Sequence, residues 1–167
     1  MARFRTSAAA AILAILSVEG ASAQPCKDPD PDPLRNPIRD NRVPFNLTVD
    51  KVGSATGNIV ITVYGDDPAK WLATEGSLHI YTVPASAPRT HVCLVLPGRR
   101  KYAIAVYHDR NRNGRIDRNG LGIPSEDGGL SNNPSFIGLV WPQLQPALID
   151  VNRAGMETTI KLRRPPI

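Results

Sequence analysis

Apolar residues recur at every second position through most of the chain after residue 44, and this period decides the fold class. Phe45, Leu47 and Val49 alternate with Asn46, Thr48 and Asp50, and Ile59, Ile61 and Val63 share one side of Asn58–Tyr64. Successive side chains of a strand point to opposite faces, so this alternation predicts half-buried strands rather than helices. Leu78, Ile80 and Thr82 predict a third strand, Val92, Leu94 and Leu96 a fourth, and Tyr102, Ile104 and Val106 a fifth. Pro97-Gly98 marks a tight turn between the last two and predicts a hairpin there. Leu148–Val151 and Thr159–Leu162, joined through Ala154-Gly155, complete a set of about seven strands with turn signals between them. The one helical candidate is Pro68–Ala73, with Asp67 as N-cap and proline at the first helical position. Such a series predicts an all-β fold, an antiparallel, immunoglobulin-like β-sandwich over residues 45–164, and about 120 residues suffice for one core rather than two.

The residues before that domain read differently. Arg3 and Arg5, the apolar stretch Ala8 to Leu16, and Ala21-Ser22-Ala23 have the order of a signal peptide, residues 1–23, with cleavage near Ala23. This predicts a periplasmic or secreted protein. The stretch falls well short of the roughly 20 residues that span a bilayer, and no later segment reaches that length, so no transmembrane segment is expected. Gln24 and Pro25 before Cys26 do not form the small-residue pattern that precedes an acylated cysteine. From 24 to 44 the chain interleaves Pro25, Pro29, Pro31, Pro33, Pro37 and Pro44 with Asp28, Asp30, Asp32 and Asp40, a composition that predicts an extended linker.

Cleavage would lower the formal charge of +5 by one, since it removes Arg3, Arg5 and Glu19. The remaining basic residues are scattered and aromatic residues are few, which argues against a nucleic-acid partner. Cys26 and Cys93 are an even pair in a chain expected in an oxidising compartment, read most simply as one disulfide pinning the linker to the domain, with two separate thiols as the rival. Neither belongs to a C-x-x-C motif, so redox catalysis finds no support.

One segment breaks the strand pattern. His108 to about Pro134 carries Gly114, Gly120, Gly122, Gly128 and Gly129 with almost no apolar alternation, and long loops of this sort are commonly functional. Within it Asp109, Asn111, Asn113, Gly114, Arg115 and Asp117 match the first nine positions of an EF-hand-type calcium loop. Asp109, Asn111 and Asn113 would give side-chain oxygens, Arg115 its carbonyl, and Asp117 a carboxylate. Gly120 stands where the bidentate glutamate belongs, so Glu126 or Asp127 would have to complete the site. Arg110, Arg112, Arg115 and Arg118 outnumber the two aspartates and weaken attraction for a dication. The competing expectation is a loop held without metal by successive Asx-turns, with arginine paired to aspartate.

Other titratable residues carry weaker signals. His108, at a strand end, reads as a packing or hydrogen-bonding residue, and His79 and His91 lack partners at zinc spacing. Trp71 and Trp141 read as core anchors. No nucleophile elbow accompanies Ser131 or Glu126, so no catalytic residue is assigned. The function expected is an exported accessory or binding module, with calcium as the candidate cofactor, an envelope component or another protein as partner, and Ser131, Asn132 and Asn133 presented to it. The alternative is a hydrolase or carbohydrate-processing enzyme using Asp109, Asp117 and Glu126 as acid and base, which would require a cleft that separates and tunes them.

The run from Tyr102 to Asp109, then Asn111, Asn113-Gly114, Ile116-Asp117, Asn119-Gly120-Leu121-Gly122-Ile123-Pro124 and Glu126, then Gly129 and Ser131-Asn132-Asn133, resembles the signature of the uncharacterised bacterial family called domain of unknown function 2141. The resemblance extends over about residues 45–163. It implies an exported sandwich of the transthyretin or prealbumin-like kind and brings no established activity. The four loop arginines depart from it, as does the Asp/Pro leader with Cys26.

Overall fold

A computed structural model describes residues 41–73, 75–135 and 142–164. The signal-peptide and linker expectations for 1–40 lie outside these residues, as do Cys26 and Trp141. Strands dominate: β1 (Val43–Asp50), β2 (Asn58–Tyr64), β3 (Ser77–Pro84), β4 (Arg89–Leu96), β5 (Arg100–Asp109), β6 (Gly128–Leu130), β7 (Leu148–Val151) and β8 (Met156–Lys161). They form two sheets, one ordered β4-β1-β8 and the other β3-β2-β5-β6, with β7 also paired to β5. The fold is an all-β sandwich.

The alternation read in the sequence is what closes it. Phe45, Leu47 and Val49 of β1, Leu94 and Leu96 of β4 and Ile160 of β8 are buried against Ile59, Ile61 and Val63 of β2 and Tyr102, Ile104 and Val106 of β5. Each fully buried side chain of this size contributes about 1.5–3 kcal/mol of transfer free energy, so this layer is the main stabilising element. A smaller cluster, Tyr64, Trp71, Ala103, Leu130, Leu144 and Ala147, covers part of the outer side of the larger sheet. There Trp71 stacks edge-on against Tyr64 with centroids 5.1 Å apart and donates from Nε1 to the Pro142 carbonyl at 2.7 Å, so it is a core anchor as its sequence context indicates.

Several local expectations are corrected. Pro97-Gly98 does not close a hairpin, because β4 and β5 lie in different sheets. β5 instead pairs with β2 along its whole length, Asn58 opposite Asp109 and Tyr64 opposite Ala103, and the turn carries the chain across the sandwich. The first strand starts at Val43 rather than Phe45. Pro44 fits because its carbonyl accepts from Gly155 at 2.8 Å on the side where β8 joins only from Phe45 onward, so its missing N–H leaves no ladder bond unmade. β1 and β8 run parallel, the exception among otherwise antiparallel pairs. The expected helix is a single 3-10 turn, Pro68–Lys70, capped as foreseen by the Asp67 carboxylate, which accepts from Ala69 at 3.0 Å.

β6 was not expected, since Gly128-Gly129 gives no side-chain alternation to read. One of its two glycines is required by packing. A Cβ on Gly129 would stand 2.7 Å from the Ile160 side chain and 2.8 Å from the Lys161 carbonyl, so only glycine lets β6 pass this close to β8.

Candidate functional site

β5 delivers Asp109 to one end of the sandwich, and the chain returns to it as β6. The backbone N–H of His108 donates to the Asp127 carbonyl at 2.9 Å, so the loop between them is cinched at its base. Gly57 backs this base: its Cα lies so close that a Cβ would fall 2.2 Å from the Asp109 carbonyl oxygen.

Within the loop, side-chain oxygens take up backbone donors. Asp109 is buried and accepts from Asn113 N–H through Oδ1 at 3.1 Å and from Gly114 N–H through Oδ2 at 2.9 Å. Asn111 Oδ1 also accepts from Asn113 N–H at 3.1 Å, and Asn113 Oδ1 accepts from Arg115 N–H at 3.0 Å, the Asx-turns expected of the metal-free form. Glu126, only 5% exposed, reaches across from the far side of the loop. Its Oε1 accepts from Arg110 N–H at 3.1 Å and its Oε2 from Asp117 N–H at 3.2 Å. Glu126 thus joins the calcium-loop residues, as its candidacy required, but by gathering backbone amides.

Asp117 completes the arrangement. Its two oxygens accept from the Nδ2 groups of Asn111 and Asn113, both at 2.8 Å. The Asx-turns hold the amide oxygens, so the amide nitrogens are what face Asp117. Three carboxylates nevertheless converge. Burial first, then the charges of Asp109, Glu126 and Asp117, push the Tyr107 hydroxyl up to about 12. Asp127, the other candidate ligand, has a different role: Arg164 donates to it at 2.6 Å and Arg110 pairs with its second oxygen. The hydrogen bond from Arg164 and the nearby Arg110 charge hold its carboxyl below the ordinary range. Arginine does pair with aspartate here, through Asp127.

The outer tip is a second built turn. Asn119 accepts from Leu121 and Ile123 N–H at 3.0 Å each, and Arg118 donates to the Gly122 carbonyl at 2.7 Å. These bonds hold Leu121 out at 82% exposure. Arg112 and Arg115 are exposed on the same loop.

A cation needs oxygens turned toward it. Asp109, Asn111, Asn113, Asp117 and Glu126 are brought together as the sequence pattern suggests, yet as arranged here Asn111 and Asn113 turn nitrogen inward. Among the described residues no three His, Cys, Asp or Glu side chains form a group able to hold a metal. Calcium would therefore require both amides to rotate and their Asx-turns to be remade.

Contrary to expectation Ser131, Asn132 and Asn133 do not form one displayed surface: Ser131 is buried, Asn133 is half-buried, and Asn132 alone is exposed. Ser131 is fully buried, accepts from Ile104 N–H at 2.9 Å and donates to the Ala147 carbonyl. Asn132 donates to the carbonyls of Pro146 at 3.2 Å and Leu148 at 2.8 Å. Asn133 donates to the Thr159 carbonyl and accepts from Lys161 N–H, both at 2.7 Å. Both asparagines have left-handed backbones, φ 61° and 51°, a region asparagine tolerates better than most residues and a signal readable only afterward. These three clamp strand ends.

The histidines keep to packing and hydrogen bonding. His108 is buried with Nε2 2.7 Å from the Thr56 carbonyl, which makes Nε2 the protonated nitrogen, and Nδ1 has no protein partner among the described residues. His91 Nδ1 lies 3.0 Å from Thr48 Oγ1, and His79 packs on Tyr81 at 4.3 Å. Cys93 sits half-buried on β4 opposite Asn46. A shallow pocket of about 250 Å³ is lined by Asn41, Arg42, Val43, Arg99 and Ala154, at the other end of β5 from the three carboxylates.

A two-sheet β-sandwich bearing one long, self-braced Asp/Asn loop is the class these features define. The chain belongs to the family of uncharacterised proteins conserved in bacteria called domain of unknown function 2141, whose model matches residues 47–160, from within β1 to within β8. No curated protein and no solved structure matches it. No helix of the described residues is long and apolar enough to cross a membrane.

Proposed function

We propose that this protein is an exported, periplasmic or secreted accessory module that acts by binding, and that its binding element is the outer face of the 109–127 loop. One observation carries the reading: both oxygens of Asp109 and both of Glu126 are committed to backbone N–H groups of the loop itself. Carboxylates used as internal braces serve to hold a shape, whereas acid and base catalysis needs a carboxyl free to meet a substrate. What the braced loop offers outward is Arg112, Arg115 and the exposed Leu121. An anionic envelope component with some apolar character suits that surface.

The test is co-sedimentation of the purified chain with isolated cell-wall sacculi and with anionic phospholipid vesicles, beside a variant carrying Arg115→Gln and Leu121→Ser. Both positions are exposed, so the variant should fold normally and lose binding. Equal binding by parent and variant would remove the loop face from the account. N-terminal sequencing of the protein recovered from fractionated cells tests export, with Gln24 expected first.

Calcium is a second reading, favoured by the convergence of Asp109, Asp117 and Glu126 around Tyr107. A ligand that binds only the folded state at 100 times its dissociation constant adds about 2.7 kcal/mol to stability. Melting curves with chelator and then with millimolar calcium or magnesium, for the parent and Asp109→Ala, decide it. Calcium raising the parent midpoint and leaving the variant unmoved would establish the site. An unmoved parent and a destabilised variant would mean that the loop is held by its own hydrogen bonds.

A further inference from the structure

Two asparagines of the long loop are followed by glycine, Asn113-Gly114 and Asn119-Gly120, and both asparagines are exposed. Asparagine before glycine is open to attack by its own chain, because glycine puts no Cβ in the way of its nitrogen. That nitrogen, after losing its proton to hydroxide, bonds to the side-chain Cγ. The bond from Cγ to Nδ2 breaks, and Nδ2 leaves as ammonia with a proton from water. Water then opens the cyclic imide. Breaking the new bond to Cγ gives aspartate, and breaking the bond to the main-chain carbonyl carbon gives isoaspartate.

The fold treats the two pairs in opposite ways. At the first, the attacking and leaving groups are both tied down. Gly114 N–H donates to Asp109 Oδ2 at 2.9 Å, so the nucleophile faces a carboxylate whose charge opposes its deprotonation. Asn113 Nδ2, the leaving nitrogen, donates to Asp117 Oδ1 at 2.8 Å. At the second pair, neither Gly120 N–H nor Asn119 Nδ2 has a hydrogen-bond partner among the described residues. Asn119 Oδ1 instead accepts from Leu121 N–H and Ile123 N–H, both at 3.0 Å. This oxygen takes up negative charge when nitrogen adds to Cγ, and two backbone donors already aimed at it stabilise that state. Arg118, bonded to the Gly122 carbonyl at 2.7 Å, adds positive charge to the same turn.

We propose that Asn119 is a site of spontaneous deamidation and that Asp109 and Asp117 shield the same dipeptide at Asn113 from it. The product carries a carboxylate in place of a neutral amide, beside Arg118. Isoaspartate also routes the backbone through the former side chain, so the turn that holds Leu121 outward must be remade. The modification stands whatever the loop binds.

The experiment is incubation of the purified chain in mildly alkaline buffer, with and without concentrated urea, followed over time by peptide mapping and mass spectrometry. The unfolded chain supplies the intrinsic reactivity of each pair. In the folded chain Asn119 should deamidate at least tenfold faster than Asn113, with isoaspartate among the products, and unfolding should accelerate Asn113 far more than Asn119. Gly120→Ala adds a Cβ that meets nothing within 4 Å, on a backbone outside the left-handed region. It should leave the melting temperature unchanged and slow the reaction at Asn119 at least tenfold. An Asn113 rate in the folded chain equal to or above that of Asn119 overturns the inference. An Asn119 that reacts only after unfolding overturns it as well, because the turn would then protect the amide rather than expose it.

Discussion

Lys161 donates its backbone N–H to the side-chain oxygen of Asn133 at 2.7 Å, and the same amide returns a bond to the Thr159 carbonyl, so one side chain does the work of a neighbouring strand along β8. Asn133→Ala removes both bonds and puts alanine at φ 51°. At roughly 0.5–1.5 kcal/mol per bond, the loss should be about 1–3 kcal/mol, read as a melting temperature several degrees lower. Asn133→Asp keeps the acceptor for Lys161 but sets a carboxylate oxygen against the Thr159 carbonyl, so it should not restore the parent stability.

The Arg110–Asp127–Arg164 arrangement makes a pH prediction. The Arg164 hydrogen bond, with Arg110 nearby, lowers the Asp127 carboxyl in the folded protein. A carboxyl lowered on folding contributes stability above its unfolded value, ordinarily about 3.9, and loses it as pH falls through the lower folded value. Urea unfolding across the acid range should therefore show the parent losing stability below about pH 4 more steeply than Asp127→Asn. Parallel profiles would mean that the pair adds nothing.

Two glycines in left-handed conformations separate strain from collision. Gly122, φ 78°, has open space around its missing side chain, whereas a Cβ on Gly57, φ 87°, would strike the Asp109 carbonyl at 2.2 Å and Arg110 Cα at 2.6 Å. Gly122→Ala should cost only the conformational penalty, about 1 kcal/mol. Gly57→Ala should cost several times more and loosen the loop base, visible as faster amide exchange at Asn113 and Gly114. Equal costs would show that the backbone at Gly57 simply shifts.

The pairing of Cys26 with Cys93 remains a prediction. Non-reducing peptide mapping should recover a 26–93 linkage, and reduction should lower the melting temperature, since closing a loop of this length is worth about 4 kcal/mol on the chain-entropy model. Two alkylatable thiols in the unreduced protein would refute it.

The period-two pattern made most of this fold legible, because burial of alternate residues such as Phe45, Leu47 and Val49 leaves a direct trace in the sequence. Sheet membership left none: Pro97-Gly98 turns the chain equally well within a sheet or across the sandwich, and only the facing partner decides. β6 was hidden because glycines carry no side chain to alternate. At the site, the spacing of Asp109, Asn111, Asn113 and Asp117 left calcium and Asx-turns both open, since the two need the same oxygens at the same intervals. The roles of Ser131, Asn132 and Asn133 depended on strands that approach from far along the chain, and no local pattern records them.

The parallel pairing of β1 with β8 has a consequence for the order of assembly. Phe45 lies opposite Met156, so the middle strand of the smaller sheet has one neighbour missing until β8, far along the chain, is present. Contacts this distant in sequence slow the search for the native state. β8 is thus the latch of the smaller sheet, which stays open on that side until β8 arrives.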